Sequence, residues 1–125
     1  GQGPRLKPHS GPEHWAVLRG EAFSDGITDL AFGLTHEKRK PAGENSPTQA
    51  KRWRGQLTRA LDTAPAMLQS LPSTLTLAHL GLACALGYLD LRHDELGWRN
   101  GRDDLAAWYA TMAKRPSLIS TEPPK

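Results

Sequence analysis

The apolar stretch from Leu75 to Leu89 is the feature that most constrains how this chain folds. Thr76 and His79 lie within it, and Asp90 and Arg92 close it. The stretch is shorter than the roughly 18 residues that indicate a membrane span. A helix that is apolar nearly all round is covered by protein on most of its sides. We therefore predict a central, buried helix that begins at Thr76 as its N-cap.

Three further segments have the spacing of amphipathic helices and can surround the central one. The first begins near Ser10 with capping-box spacing and ends at Pro41. The second opens at Ser46 with a proline in the first helical position, and Pro65 is expected to kink or end it. The last one stops at Pro116. Since no strand pattern is present, we predict an all-α helical bundle with one central apolar helix.

The length and charge of the chain exclude several classes of protein. Its 125 residues correspond to one domain, which a Gly- and Pro-rich lead-in or linker precedes over residues 1–12. The net charge of +3 is too small to predict binding to nucleic acid. One cysteine rules out an intramolecular disulfide and a cysteine-based zinc site. Because neither a signal peptide nor a membrane span is visible, we expect a cytoplasmic protein with no membrane partner.

The side chains that carry chemistry form no catalytic or metal-binding motif. The histidines are scattered and fit surface or capping roles, with His93 expected in a solvated loop. Cys84 lies inside the apolar stretch, which favours a buried packing role over a nucleophile. Basic residues cluster between Glu37 and Arg59 and permit an anionic partner, although helix-end charges and a solvated face also explain them. The residues alone predict no catalytic residue and no metal site.

Several short segments, taken in order along the chain, match the pattern of one known family. They are Ser24–Asp29, Lys38–Pro41, Leu75–Ala78, Ala83–Asp90, Trp98–Gly101, Leu105–Tyr109 and Arg115–Ser117. In this order and spacing they resemble the C-terminal helical domain of cytosolic glutathione transferases, in particular the bacterial ones. The likeness covers nearly the whole chain, and it is the set of segments rather than any single one that is specific.

The resemblance implies a two-domain protein of which this chain holds one part. Residues 13–125 are expected to form the glutathione transferase C-terminal-like helical domain. Nothing in the chain matches the N-terminal thioredoxin-like domain that binds glutathione in this family and activates its thiol. The full-length protein is then expected to be a homodimeric transferase with glutathione as co-substrate. The isolated chain is expected to be inactive.

The resemblance also implies roles for residues of the first helix. Phe23 and Ile27 are placed to face the pocket for the electrophilic substrate, and Asp25 or Asp29 to reach glutathione bound by the neighbouring subunit. The residue pattern leaves other interpretations open. Phe23 and Ile27 also lie on the stripe that predicts the core, and both carboxylates fit a solvated surface.

The start of the central helix departs from the family pattern. Family members begin this helix with Ser/Thr-x-x-Asp, whereas this chain has Thr76 followed three residues later by His79. Thr76 still provides an N-cap. His79 replaces the acid that would close the capping box, so the second hydrogen bond of the box lacks its usual acceptor.

These observations support two functions from different classes. The first is the C-terminal domain of a glutathione S-transferase, which lines the electrophile pocket and supports the dimer. In that case an apolar docking face is expected to be bare around Trp15, Leu18 and Phe23. The alternative is a non-catalytic protein–protein interaction module of the type found in translation factors and tRNA synthetases, which suits the basic stretch from Lys38 to Arg59.

Overall fold

The computed structural model describes residues 11–41 and 43–115, and this part of the chain is helical. The α-helices are α1 (Gly11–Arg39), α2 (Pro47–Gln69), α3 (Leu77–Arg92) and α4 (Asp103–Ala113), and a short 3₁₀ helix covers Asp94–Leu96. No strand occurs among the described residues, and the predicted all-α bundle is confirmed. Because α1 starts at Gly11, the last two residues of the predicted lead-in are helical. The predicted cap at Ser10 lies outside the described residues.

The core lies where α3 meets the other helices. Helix α3 packs along α1 and contacts α4, while α2 contacts α1 and α4. All four helices contribute buried side chains, with Leu82, Leu86 and Leu89 of α3 fully enclosed. Gly20 allows α1 and α3 to approach closely, since a Cβ atom at this position would lie 2.7 Å from Cβ of Ala78. The prediction of a central apolar helix is therefore confirmed for the side of α3 that faces the bundle.

The start of α2 is held by both a local cap and the end of α1. The Ser46 hydroxyl accepts a hydrogen bond from the Gln49 N–H at 3.2 Å, as the spacing predicts. The Ser46 N–H donates to a carboxylate oxygen of Glu37 at 2.9 Å, so a residue of α1 takes the place expected for the Gln49 side chain. Glu37 is buried, and hydrogen bonds from Lys40 and from the Ser46 N–H lower the pKa of its carboxyl.

Pro65 does not end α2, which continues to Gln69. A proline inside a helix removes one backbone hydrogen bond and costs about 3 kcal/mol. Leu57, Leu61 and Ala64 are buried on one side of Pro65, and Met67 on the other side packs against the same core. Burial of these side chains offsets the cost, so the helix is kept through the proline.

The loop between α3 and α4 folds around the carboxylate of Asp90. One oxygen accepts hydrogen bonds from the Trp98 indole at 3.0 Å and from Arg99 at 2.6 Å, and the other accepts from Arg99 at 2.9 Å. The Arg99 guanidinium also lies 4.4 Å from the centre of the Trp98 ring. His93, at the C-terminal end of α3 where this loop begins, is fully buried, so the prediction that it lies in a solvated loop is wrong.

None of the helices in the described ranges is long and apolar enough to cross a membrane.

Candidate functional site: the groove between α1 and α3

A groove of about 400 Å³ opens between α1 and α3. Helix α1 contributes the carboxylates of Glu21 and Asp25. Helix α3 contributes Leu77, Leu80, Gly81 and Cys84. The groove thus places negative charge opposite an apolar wall. This combination suits a molecule that carries both a cationic group and an apolar portion.

Helical periodicity explains why these residues meet. Glu21 and Asp25 are four residues apart and so lie on one side of α1. On α3, Leu77, Leu80 and Cys84 recur at intervals of three and four residues, which places them on one face. The buried stripe of each helix borders this face, so the groove runs along the seam where the two helices pack.

A second cavity of similar volume lies between α2 and the start of α4. Asp62, Pro65 and Arg102 are among its lining residues. Asp62 and Arg102 are paired with each other there, because a guanidinium nitrogen of Arg102 lies 2.8 Å from the Asp62 carboxylate. We take the groove between α1 and α3 as the candidate binding site, because it combines charged groups with an exposed apolar side chain, Leu77.

Cys84 is exposed in the groove, which corrects the prediction of a buried packing residue. Its neighbours Ala83 and Ala85 are buried, but successive residues of a helix point about 100° apart, so a single position can face outward. Partial burial raises the pKa of the Cys84 thiol. A thiol with a raised pKa stays protonated at neutral pH and is a poor nucleophile.

The predicted site residues of α1 occupy different environments. Asp25 lines the groove, whereas Asp29 is exposed one turn later and is not part of the lining. Ile27 is 1% exposed in the core, and the structure does not support a contact between its side chain and a ligand. Phe23 is half-buried and packs against the same core. Phe23 and Asp25 point about 200° apart around the helix, so Phe23 does not face the groove that Asp25 lines.

Thr76 and His79 form a complete capping box at the start of α3. The Thr76 N–H donates to Nδ1 of His79 at 3.0 Å, and the His79 N–H approaches the Thr76 hydroxyl at 3.5 Å. Thr76 is thus confirmed as the N-cap. His79 supplies the acceptor that seemed to be missing, because a neutral imidazole has a free lone pair at Nδ1. Burial and the nearby charge of Arg115 lower the pKa of His79, which favours this neutral form.

Large apolar side chains are exposed near the groove and at the start of α1. Trp15 is 59% exposed, as expected for a bare docking face, whereas Leu18 and Phe23 are half-buried. Leu77 at the rim of the groove is 36% exposed. Phe32 is 48% exposed and contacts the ring of Tyr88 edge-to-face, at 4.7 Å between ring centres.

Sequence reasoning singled out Asp25 but missed most of the groove. Glu21 follows from Asp25 through their four-residue spacing, which was available in the sequence. The α3 side of the groove was not predictable from periodicity, because that helix is apolar on every face. Only packing decides which of its faces is covered.

Comparisons with known proteins agree on one family. The family model of the glutathione S-transferase C-terminal domain matches residues 47–111. The chain is 33% identical over 125 residues to the uncharacterised GST-like protein YibF of Escherichia coli K12, a match that covers 98% of this chain and 62% of YibF.

Solved structures show the same likeness. A glutathione transferase family member from Pseudomonas fluorescens Pf-5, solved with bound S-(propanoic acid)-glutathione, is 35% identical with a TM-score of 0.92, and the match covers 98% of this chain and 64% of that one. A glutathione S-transferase from Methylobacillus flagellatus KT, solved with glutathione bound, is 32% identical with a TM-score of 0.89, covering 95% and 61%.

The chain spans about three fifths of the length of these relatives. The family model nevertheless matches more than half of its residues, and the fold agrees over nearly all of them. The order of helices and the segments that resemble the family are thus explained together: the chain belongs to the glutathione S-transferase family and carries its C-terminal helical domain.

Proposed function

We propose that the protein bearing this chain is a cytoplasmic, homodimeric glutathione transferase in which the helical domain lines the pocket for the electrophile. The observation that carries the proposal is the open groove between α1 and α3, with carboxylates on one side and apolar side chains on the other. A thioredoxin-like domain of the same protein is the partner proposed to cover this groove. Relatives with the same helical fold were solved with glutathione or a glutathione conjugate bound.

In the proposed reaction the sulfur of glutathione attacks an electrophilic carbon. The carbon–sulfur bond forms, the leaving group departs with its electron pair, and the thiol proton passes to solvent. Asp25 is proposed to bind the ammonium group of a glutathione molecule that the neighbouring subunit holds, since a carboxylate pairs well with a cationic donor. Leu77 and Leu80 offer an apolar surface to the electrophile. Phe23 and Asp29 do not line the groove, and their roles toward the electrophile and toward glutathione stay predictions.

Two matched variants test the role of Asp25. In the protein expressed from its complete reading frame, Asp25→Asn is expected to raise KM for glutathione roughly tenfold, because a charge-assisted hydrogen bond contributes about 1.5–3 kcal/mol. Asp29→Asn, one turn further along the same exposed side of α1, tests the other carboxylate predicted for this role: a raised KM in Asp29→Asn with an unchanged KM in Asp25→Asn would assign the contact to Asp29. An unchanged KM in Asp25→Asn would remove Asp25 from the site, and absence of any conjugation by the parent protein would overturn the proposed activity.

A non-catalytic interaction module is the second candidate, and the surface of α2 favours it. Lys51, Arg52, Arg54 and Arg59 are all exposed on this helix. Four exposed cations on one helix suit an acidic partner surface. The reading frame upstream of Gly1 distinguishes the two functions: a thioredoxin-like βαβ pattern supports the transferase, and a synthetase or elongation-factor body supports the module.

A further inference from the structure

A buried histidine joins the end of α1 to the corner that follows α3. His93 is 0% exposed. Its Nε2 lies 2.8 Å from the carbonyl oxygen of Ala31 and 3.0 Å from the hydroxyl of Thr35, and its Nδ1 lies 3.0 Å from Nζ of Lys38. Lys38 also forms an ion pair with Glu95 in the 3₁₀ helix. We call Thr35, Lys38, Tyr88, His93 and Glu95 the His93 cluster.

The partners of His93 fix the position of its proton. A carbonyl oxygen only accepts, so Nε2 carries the proton and donates it to Ala31. An ammonium group only donates, so Nδ1 is unprotonated and accepts from Lys38. The Thr35 hydroxyl donates to the Ala31 carbonyl at 3.1 Å and accepts from the Tyr88 hydroxyl at 2.8 Å. The hydrogen bond from Lys38 to Nδ1 thus exists only while the imidazole is neutral.

The groups that face His93 respond differently to a positive charge on the ring. Lys38 from α1 repels an imidazolium, whereas Glu95, with an oxygen 3.8 Å from Nδ1, attracts it. Tyr88 from α3 approaches the ring edge-on, at 6.2 Å between ring centres, and carries no charge near neutral pH. Burial lowers the pKa of His93 and outweighs the opposing hydrogen bond to Ala31.

We propose that the His93 cluster is a pH-sensitive contact in which protonation of Nδ1 displaces Lys38, transfers Glu95 to the imidazolium and loosens the last turn of α1. Nδ1 cannot accept from Lys38 once it holds a proton, and the two cations then repel each other across a contact of hydrogen-bond length. Glu95 needs only a small movement to accept from Nδ1. Lys38 then loses both its ring acceptor and its ion pair and keeps a 3.4 Å hydrogen bond to the carbonyl oxygen of Arg92. Glu37 still joins the end of α1 to the N-cap of α2.

The direction of the pH effect follows from linkage. The pKa of His93 in the folded protein is below the ordinary value of 6.5, so the open form binds more protons than the closed form. The contact is therefore fully formed above pH 6.5 and weakens as the pH falls from 6.5 towards the folded pKa. Within that window the equilibrium constant for opening approaches a tenfold increase per pH unit, since one proton is taken up.

Nuclear magnetic resonance of the 125-residue chain tests the contact directly. The ring resonances of His93 are expected to titrate with a pKa below 6.5, and hydrogen-exchange protection of the last-turn amides of α1 to fall across the same range. Lys38→Met is expected to raise the pKa of His93 and to leave these amides poorly protected at both ends of the range. His36→Gln, which removes an exposed histidine in the same last turn, is the control and is expected to change neither.

Two results would overturn the inference. One is a His93 pKa at or above 6.5 in the parent chain. The other is amide protection that stays constant while His93 titrates, which would show that the buried ring gains its proton without loosening α1. Both are measured on the parent chain, so the inference is tested even if Lys38→Met does not fold.

Discussion

At the start of α3, the neutral imidazole of His79 accepts the hydrogen bond that a carboxylate or amide accepts in the usual capping box. Nδ1 of His79 accepts a hydrogen bond from the Thr76 N–H, and the His79 N–H donates a longer one to the Thr76 hydroxyl. Spacing alone identified Thr76 as the cap, because a hydroxyl can accept in any protonation state. It did not identify His79 as an acceptor, because that role requires the neutral ring, and burial by the surrounding fold is what favours it.

The hydroxyl of Thr76 is expected to contribute measurably to stability. Thr76→Ala should lower the free energy of unfolding by about 1 kcal/mol, the usual effect of losing an N-cap side chain. Thr76→Ser keeps the hydroxyl and is expected to lose less. Denaturant titration of the three proteins at pH 7.5 measures the difference. Equal losses in the Ala and Ser variants would assign the effect to the buried methyl group instead of the cap.

The capping box is also expected to depend on pH. Because the folded pKa of His79 is below 6.5, its contribution is complete above pH 6.5 and declines as the pH falls below that value. His79→Asp keeps an acceptor there and places a negative charge at the positive end of the helix. We expect the variant to be more stable than the parent, slightly at pH 7.5 and more clearly at pH 5.5. His93 is present in both proteins, so its own titration cancels in the comparison. Midpoints that agree at both pH values would contradict this account of the cap.

At the scale of elements, two glycines of the same helix, α1, lie in opposite environments. A Cβ on Gly20 would lie 2.7 Å from Cβ of Ala78, whereas a Cβ on Gly26 would meet nothing within 4 Å. Gly20→Ala is therefore expected to destabilise the chain by about 1–3 kcal/mol through overpacking at the α1–α3 seam. Gly26→Ala is the matched control and should stabilise by up to about 1 kcal/mol, since alanine favours the helix. Thermal or denaturant unfolding of both variants measures these signs, and a stabilised Gly20→Ala would show that the helices separate without cost.

The sequence predicts where α2 and α3 begin better than it predicts whether α2 continues through a proline. The start of α2 at Ser46 and that of α3 at Thr76 follow local rules for capping, and both are confirmed. Continuation of α2 through Pro65 depends on side chains that are buried on both sides of the proline. The bond from Ser46 to Glu37 joins residues nine positions apart across two helices. Only tertiary structure determines such contacts.

For the whole molecule, the fold followed from the sequence more completely than the site did. Apolar spacing and a family resemblance were enough for an all-α bundle with a central helix. The candidate site is a surface that remains uncovered when α1 packs on α3, so it depends on which faces the bundle uses. Ile27 fell on the covered side and Cys84 on the open side. The apolar stripe of α1 predicted the core for Ile27 whereas the family resemblance placed it at the pocket, and the apolar neighbours of Cys84 predicted a buried thiol.

The 125-residue chain by itself is not expected to catalyse conjugation of glutathione. The groove contains a thiol, Cys84, but partial burial raises its pKa, and the family resemblance places the thiol-activating residue in the thioredoxin-like domain. Neither glutathione nor Cys84 is then expected to be activated by this chain. Purified chain should conjugate glutathione to a generic aromatic halide no faster than buffer, and Cys84→Ser should behave identically. Turnover that persists in Cys84→Ser would reveal activation of glutathione by the helical domain alone. Turnover lost in Cys84→Ser would make Cys84 the reacting group and show that its environment promotes ionisation instead of suppressing it.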